Sequence, residues 1–274
     1  MADMCSYRCS DGSESVNLDG DGAWVGTAPA MRGRAWSYSL GARRISAVQR
    51  KAREVTVTAA FTDPDKADLL RHLADRDVAS STPGTLYVGE WFQRAYITAC
   101  EPGTIFGDYH TADLTVVLLD GAWSRESTIS FGTVAESGGA GLNLPYDLPY
   151  DLGAPRPMRT IDAGRWGECP AKLEIYGPCE SPSLRIGGNL YSVDCIVPTG
   201  GTLTVDGIAK TAIVTDGYGT ETDVFKSAMR GTGKGGGSYA FQPVPAGLSA
   251  VEWDGTFAFD LTLYEQEGEP PWAS

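Results

Sequence analysis

Apolar and polar positions alternate most cleanly over residues 54–61. Val55, Val57, Ala59 and Phe61 fall on one face and Thr56 and Thr58 on the other, which predicts a half-buried strand. The period then changes. Asp63 can cap a helix, Pro64 suits its first turn, and Asp65 favours the positive end of its dipole. Ala67, Leu70, Leu73 and Ala74 follow at spacings of three and four, an apolar stripe that predicts one amphipathic helix ending near Val78. Period-two runs resume at 85–89, 91–99 and 111–119. The first 30 residues are polar and turn-rich, with Asp19-Gly20-Asp21-Gly22 a hairpin signal.

Residues 133–155 read as a linker, flexible from Glu136 to Gly141 and stiffened by the tandem LPYD repeat of Leu144–Leu152. Beyond it, short apolar runs alternate with turns: 173–176, 190–193, 202–205, 211–214, 239–241 and 257–264. No helical period is sustained, which is the pattern of a β-sandwich. The expected class is therefore mainly β. An α+β half with one helix spans 1–132, and an all-β half spans 156–274.

Composition narrows this further. With 274 residues there is room for two domains, and 42% apolar against 21% charged residues excludes global disorder. No stretch approaches the ~18 apolar residues of a membrane helix, so no membrane partner is expected. The opening residues lack a basic stretch followed by an apolar one, so no secretory signal is expected. A net charge of −13 disfavours wrapping nucleic acid. Residues 31–53 break the acidic trend with seven basic residues and no acidic one.

That stretch is the main candidate site. Arg32, Arg34, Arg43, Arg44, Arg50, Lys51 and Arg53 would repel one another if left bare, whereas the rest of the chain offers acidic surface on a second copy. Trp36, Tyr38 and Leu40 alternate with Ala35, Ser37 and Ser39, as in a strand with one apolar face. The reading is an interface with a neighbour. The competing one is DNA contact, since arginine pairs readily with phosphate.

Catalytic signatures are weak. Gly231–Gly236 matches GxGxxG, but a strand is expected after it, at 238–241, where a dinucleotide site needs a helix. Asp19–Gly22 lacks the later ligands of a calcium loop. Asp147 and Asp151 are paired carboxylates in a Pro-rich linker, which cannot easily hold a fixed separation. His72 lies on the helix's polar side, His110 lies in a loop, and neither HExxH nor GxSxG occurs. Six cysteines without a CxxC pair, and two histidines, predict free thiols and no bound metal. No cofactor and no catalytic residue are assigned. Aromatic residues in the second half, above all Trp166, Tyr218 and Trp253, suit either sugar stacking or a core.

The order of segments resembles the distal tail protein (Dit) family of long-tailed bacteriophages. The carrying segments are 68–73 through 82–88, Trp91–Ile97, the LPYDLPYDL repeat, Leu173–Pro178, Asn189–Val193, Gly201–Asp206, Phe241–Gly247 and Glu269–Trp272. The resemblance runs from about residue 40 to the end, and the first 30 residues carry little of it. It implies a tail-tube-like hub domain with a β-hairpin arm, followed by a galectin-like β-sandwich. It further implies a homo-oligomer, a hexameric ring at the virion tail tip assembled in the bacterial cytoplasm. That ring would join the tail-tube protein to the tail-associated hub or lysin protein; in some members the peripheral domains also carry receptor-binding proteins. Such a protein is structural, not an enzyme, and does not hold nucleic acid tightly. Two other readings stay open: a carbohydrate-binding module assisting host-surface adhesion, and a hydrolase.

Overall fold

The structure, a computed structural model, describes residues 5–20, 22–26, 29–134, 158–164 and 167–270. The chain divides into two compact units, one of residues 1–125 with 266–274 and one of residues 126–265.

The first unit contains β1 (Cys5–Arg8), β2 (Ser15–Asn17), β3 (Asp19–Gly20), β4 (Ala23–Trp24), the single-turn α1 (Pro29–Arg32), β5 (Trp36–Leu40), β6 (Ile45–Arg50) and β7 (Arg53–Phe61). It continues with α2 (Pro64–Ser80), β8 (Gly84–Val88), β9 (Trp91–Phe106) and β10 (Tyr109–Leu118), and with the start of β11 (Trp123–Phe131). An antiparallel sheet runs in the order β3-β4-β7-β10-β9-β8-β1-β2, while among the described residues β5 and β6 pair only with each other. Val57, Ala59 and Phe61 of β7 face the core with Leu114, Val116 and Leu118 of β10. The predicted strand at 54–61 and its apolar face are both present.

Helix α2 begins as its sequence dictates. Asp63 accepts a hydrogen bond from the Asp65 backbone at 3.1 Å, and Pro64 opens the first turn. Leu70, Leu73 and Ala74 are buried against the sheet. The helix runs two residues past Val78 because Ser81 takes the left-handed conformation (φ 56°), a role more often given to glycine. Asp77 lies on the same buried face, fully covered. Its carboxyl accepts hydrogen bonds from the Tyr7 hydroxyl (2.7 Å), the Ser10 hydroxyl (2.7 Å) and the Ser10 backbone (3.1 Å). These bonds tie the helix to the start of the chain. The first 30 residues are accordingly part of the core, not only turns: Cys5, Tyr7, Val16, Leu18 and Ala23 are buried. The hairpin signal at Asp19–Gly22 is the β3–β4 hairpin.

The second unit contains β12 (Met158–Asp162), β13 (Ala171–Tyr176), β14 (Cys179–Glu180), β15 (Ser183–Ile186), β16 (Asn189–Ser192), β17 (Ile196–Val197), β18 (Thr202–Asp206), β19 (Thr211–Thr215), β20 (Glu221–Asp223), β21 (Leu248–Trp253) and β22 (Phe259–Glu267). One sheet includes β20-β19-β18-β13-β22, another is β12-β21-β15-β16, and β14 pairs with β17. Leu173, Ile175, Leu203 and Leu261 of the first sheet share one core with Ile161, Leu184, Ile186 and Val251 of the second. Two sheets closed over a common core make a β-sandwich, so the mainly β class with an all-β second half holds.

Three local expectations change. Residues 238–241 form no strand, 238–239 being irregular and 240–241 a turn, although Ala240 and Phe241 are buried. The division does not follow 1–132 and 156–274. Phe131 stacks on Phe259 at 4.5 Å and meets Trp253 edge-on at 5.4 Å, so the end of β11 belongs to the second core. Residues 266–274 group with the first unit. The linker repeat, with Asp147 and Asp151, lies outside the described residues.

Candidate assembly surface

The basic stretch folds into the β5–β6 hairpin, an arm outside the main sheet. Its register pairs Trp36 with Arg50, Ser37 with Gln49, Ser39 with Ser46 and Leu40 with Ile45. Ala47 and Val48 together face Tyr38, a bulge that places Ala47 in the left-handed region (φ 50°). Trp36, Tyr38, Leu40, Ile45 and Val48 are all exposed, Leu40 to 77%. A two-stranded hairpin with both faces in water is marginal by itself. Here the Arg50 guanidinium lies over the Trp36 ring at 4.7 Å and supports the base.

The nine residues expected to form the interface separate into two sets. Arg34, Trp36, Tyr38, Arg43, Arg44 and Lys51 are exposed, with Arg50 partly covered at the base of the arm. Arg32 is only 8% exposed. The Arg53 guanidinium donates to the Met31 carbonyl at 2.8 Å, and burial pushes its pKa below the ordinary value. Arg32 and Arg53 thus belong to the body of the unit, because each lies where the arm joins the sheet. This removes Arg32 from the presented surface and leaves Arg53 only partly exposed.

A second exposed apolar surface was not anticipated. Strand β9 continues well past residue 99 and forms with β10 a long hairpin whose tip carries Ile105, Phe106 and Tyr109, Phe106 being 82% exposed. Gly103 and Thr104 together oppose Thr111, and the Thr111 hydroxyl accepts from the Thr104 backbone at 2.9 Å. Past Ala95, the only sheet partner of β9 among the described residues is β10, so its other edge carries no strand. Beside that edge is a cleft of about 240 Å³ lined by Leu70, Arg71, Ala74 and Asp75 of α2 and by Ile97–Cys100 of β9. The signal in the sequence was Ile105-Phe106 directly before Gly107-Asp108, large apolar residues at a turn where polar ones are usual.

The three aromatic candidates for sugar contact come apart. Tyr218 is 98% exposed on a turn in which Asp216 accepts from the backbones of Tyr218 (2.9 Å) and Thr220 (2.8 Å). These bonds hold the Asp216 carboxyl below the usual carboxylate range. Trp253 is a core residue, 7% exposed and edge-on to Phe131 and Phe259, because its parity on β21 points inward; it is withdrawn as a surface contact. Trp166 lies outside the described residues. Cys5, Cys9 and Cys169 are buried thiols, and burial pushes Cys5 up to about 12. His72 is exposed, and His110 stacks on Phe61 at 5.2 Å. Among the described residues, no group of three or more His, Cys, Asp or Glu side chains could hold a metal ion.

No protein-family description and no curated protein matches the sequence. Solved structures do. The chain is similar to the SPP1 Dit (gp 19.1) protein, described as a paradigm of hub adsorption apparatus in Gram-positive infecting phages. The TM-score is 0.55 at 10% identity, over 96% of this chain and 99% of that one. It is similar also to a chain of the phage P2 baseplate in its activated conformation with Ca, with TM-score 0.59 and 8% identity over 97% of this chain and 98% of the other. The same baseplate with Sr gives 0.58 and 8%, over 97% and 99%. The chain therefore has the fold of the Dit-type distal tail proteins.

Proposed function

We propose that this protein is a structural component of a bacteriophage tail tip. In this reading copies of the first unit form a closed ring, most simply a hexamer, between the tail-tube protein and the tail-associated hub protein. The second unit, read as a galectin-like sandwich, is a site for attaching further tail components such as receptor-binding proteins. The protein performs no catalysis of its own. The observation that carries the proposal is the fold likeness over 96–97% of the chain to tail-hub and baseplate proteins. The exposed basic arm supports it, since an unsupported hairpin with exposed large apolar residues calls for a partner.

Native mass spectrometry with negative-stain imaging tests the ring. Closed rings of one copy number are the expected result. Protein that stays monomeric at every concentration, alone and in assembled tails, overturns it. A second reading rests on Tyr218: a fully exposed aromatic on a rigid turn suits stacking against a sugar face. A glycan array probed with the wild-type protein and with Tyr218→Ala decides this. Binding that the substitution removes would favour adhesion over pure scaffolding.

A further inference from the structure

Two cysteines of the second unit lie on the same short ladder. Cys179 of β14 is opposite Val197 of β17, and Cys195 lies two residues before Val197, so both fall on one side of the pairing. Both are partly buried and pack against the core, whereas Glu180 and Ile196, the next pair along, face solvent. The Ser181 backbone donates to the Cys195 carbonyl at 2.8 Å, which extends the ladder by one step and sets the cysteines at diagonal positions across it. Burial raises the Cys195 thiol to about 11, and the charge of Cys179 raises it further, so the two sulfurs are electrostatic neighbours. Cys5 and Cys9, closer in sequence, are held apart by the length of β1.

Diagonal residues of an antiparallel pair have Cα atoms about 7–8 Å apart and Cβ atoms closer. A disulfide spans about 4.4–6.8 Å between Cα atoms. Closing the pair therefore asks the ladder to tighten by about an ångström. Cys195 is placed to give that movement, because its own N–H bonds back to the Val193 carbonyl at 3.0 Å. Among the described residues β14 and β17 pair only with each other, so no third strand resists the approach.

We propose that Cys179 and Cys195 are an oxidisable pair, free thiols in the reduced chain that close into one disulfide by exchange with a small disulfide of the glutathione type. The thiolate of one cysteine attacks a sulfur of the small disulfide, expels one small thiolate and leaves a mixed disulfide. The second cysteine, deprotonated in turn, attacks the protein sulfur of that mixed disulfide and expels the other small thiolate. Two protein thiols are oxidised, one small disulfide is reduced, and the two protons pass to the released thiolates. Burial raises both thiols, so the exchange is slow near neutrality and quickens as pH rises. The bond closes residues 179–195, which carry the β15–β16 hairpin, into a loop and so restricts the unfolded chain. The proposal does not depend on the tail-tip reading. A reducing cytosol keeps such a pair open, and an oxidising exterior closes it.

The test treats the reduced full chain with oxidised glutathione, alkylates the remaining thiols in denaturant and maps the peptides by mass spectrometry. The expected product is a Cys179–Cys195 crosslink, lighter than the reduced chain by two hydrogen atoms. It should form about tenfold faster for each unit of rising pH near neutrality, as the thiolate fraction grows. Its thermal midpoint should exceed that of the reduced chain by about 4 °C or more. Cys179→Ser and Cys195→Ser, each compared with its own reduced form, should both abolish the crosslink and the rise. Glutathione retained on either cysteine without a crosslink, a crosslink to a different cysteine, or all six thiols still open to alkylation overturns the pair. A Cys179–Cys195 crosslink that leaves the midpoint unchanged overturns its role in restricting the unfolded chain.

Discussion

The two units treat their exposed apolar residues in different ways. In the first most gather on two hairpins: Trp36, Tyr38, Leu40, Ile45 and Val48 on one, and Ile105, Phe106 and Tyr109 on the other, with Trp24 and Val78 elsewhere. In the second, Tyr176, Ile196, Ile208, Tyr218 and Leu248 come from different turns and edges, no two adjacent in the chain. Tyr176 even has its hydroxyl fixed by Asp260 at 2.7 Å. Single exposed apolar residues are ordinary on any surface, whereas clusters on hairpins without support mark a partner. The second unit completes its own core; the first leaves part of its apolar surface for something outside the chain.

The sharpest way to break this comparison is to cut the second unit in the wrong place. A fragment of residues 126–265 should unfold cooperatively in urea, whereas one beginning at 156 should not, since it lacks Ile129 and Phe131 of its core. The point equivalent is Phe131→Ala, which removes the ring stacked on Phe259 and should cost about 3–5 kcal/mol. In the first unit, Asp77→Ala should cost about 3 kcal/mol in urea unfolding, because it leaves the Tyr7 hydroxyl and the Ser10 backbone without their acceptor. The arm should behave oppositely. Trp36→Ala should change stability by no more than about 0.5 kcal/mol while weakening ring assembly in native mass spectrometry. Equal losses of stability from Trp36→Ala and Phe131→Ala would erase the distinction between the units.

The smallest effect concerns the Tyr218 turn. The Asp216 pKa is depressed by the hydrogen bonds it accepts, so its contribution to the turn is present above its unfolded pKa. It is lost as pH falls through the lower folded value. The backbone NMR signals of Tyr218 and Thr220 should therefore hold through the ordinary carboxylate range and shift only in stronger acid. Asp216→Ala should produce the same shifts at neutral pH.

What could be read in advance follows physical range. Helix α2 was legible because its signals are local: Asp63 and Pro64 at the start, and Leu70, Leu73 and Ala74 on one face. Its end was misplaced by two residues because Ser81, not a glycine, takes the left-handed conformation. The reach of β9 past residue 99 was hidden because Pro102 and Gly103 are residues that usually interrupt a strand. A strand tolerates them at an edge and beside a bulge, and they occupy both. The arm's charge and alternation were visible, yet the burial of Arg32 and the partial covering of Arg53 depended on where the arm meets the sheet. Trp253 and Phe131 turned on long-range pairing: the parity of β21 and the destination of β11 are not written in their neighbours.

The arm's arginines have a consequence for the chain before any partner arrives. A hairpin with open edges is a template onto which any extended strand can add, so newly made copies risk aggregation through the arm that later serves them. Arg43 and Arg44 sit at its turn, where two arms meeting tip to tip would bring four positive charges together. Both residues thereby act as gatekeepers against self-pairing of arms, and replacing both with serine should lower the soluble yield.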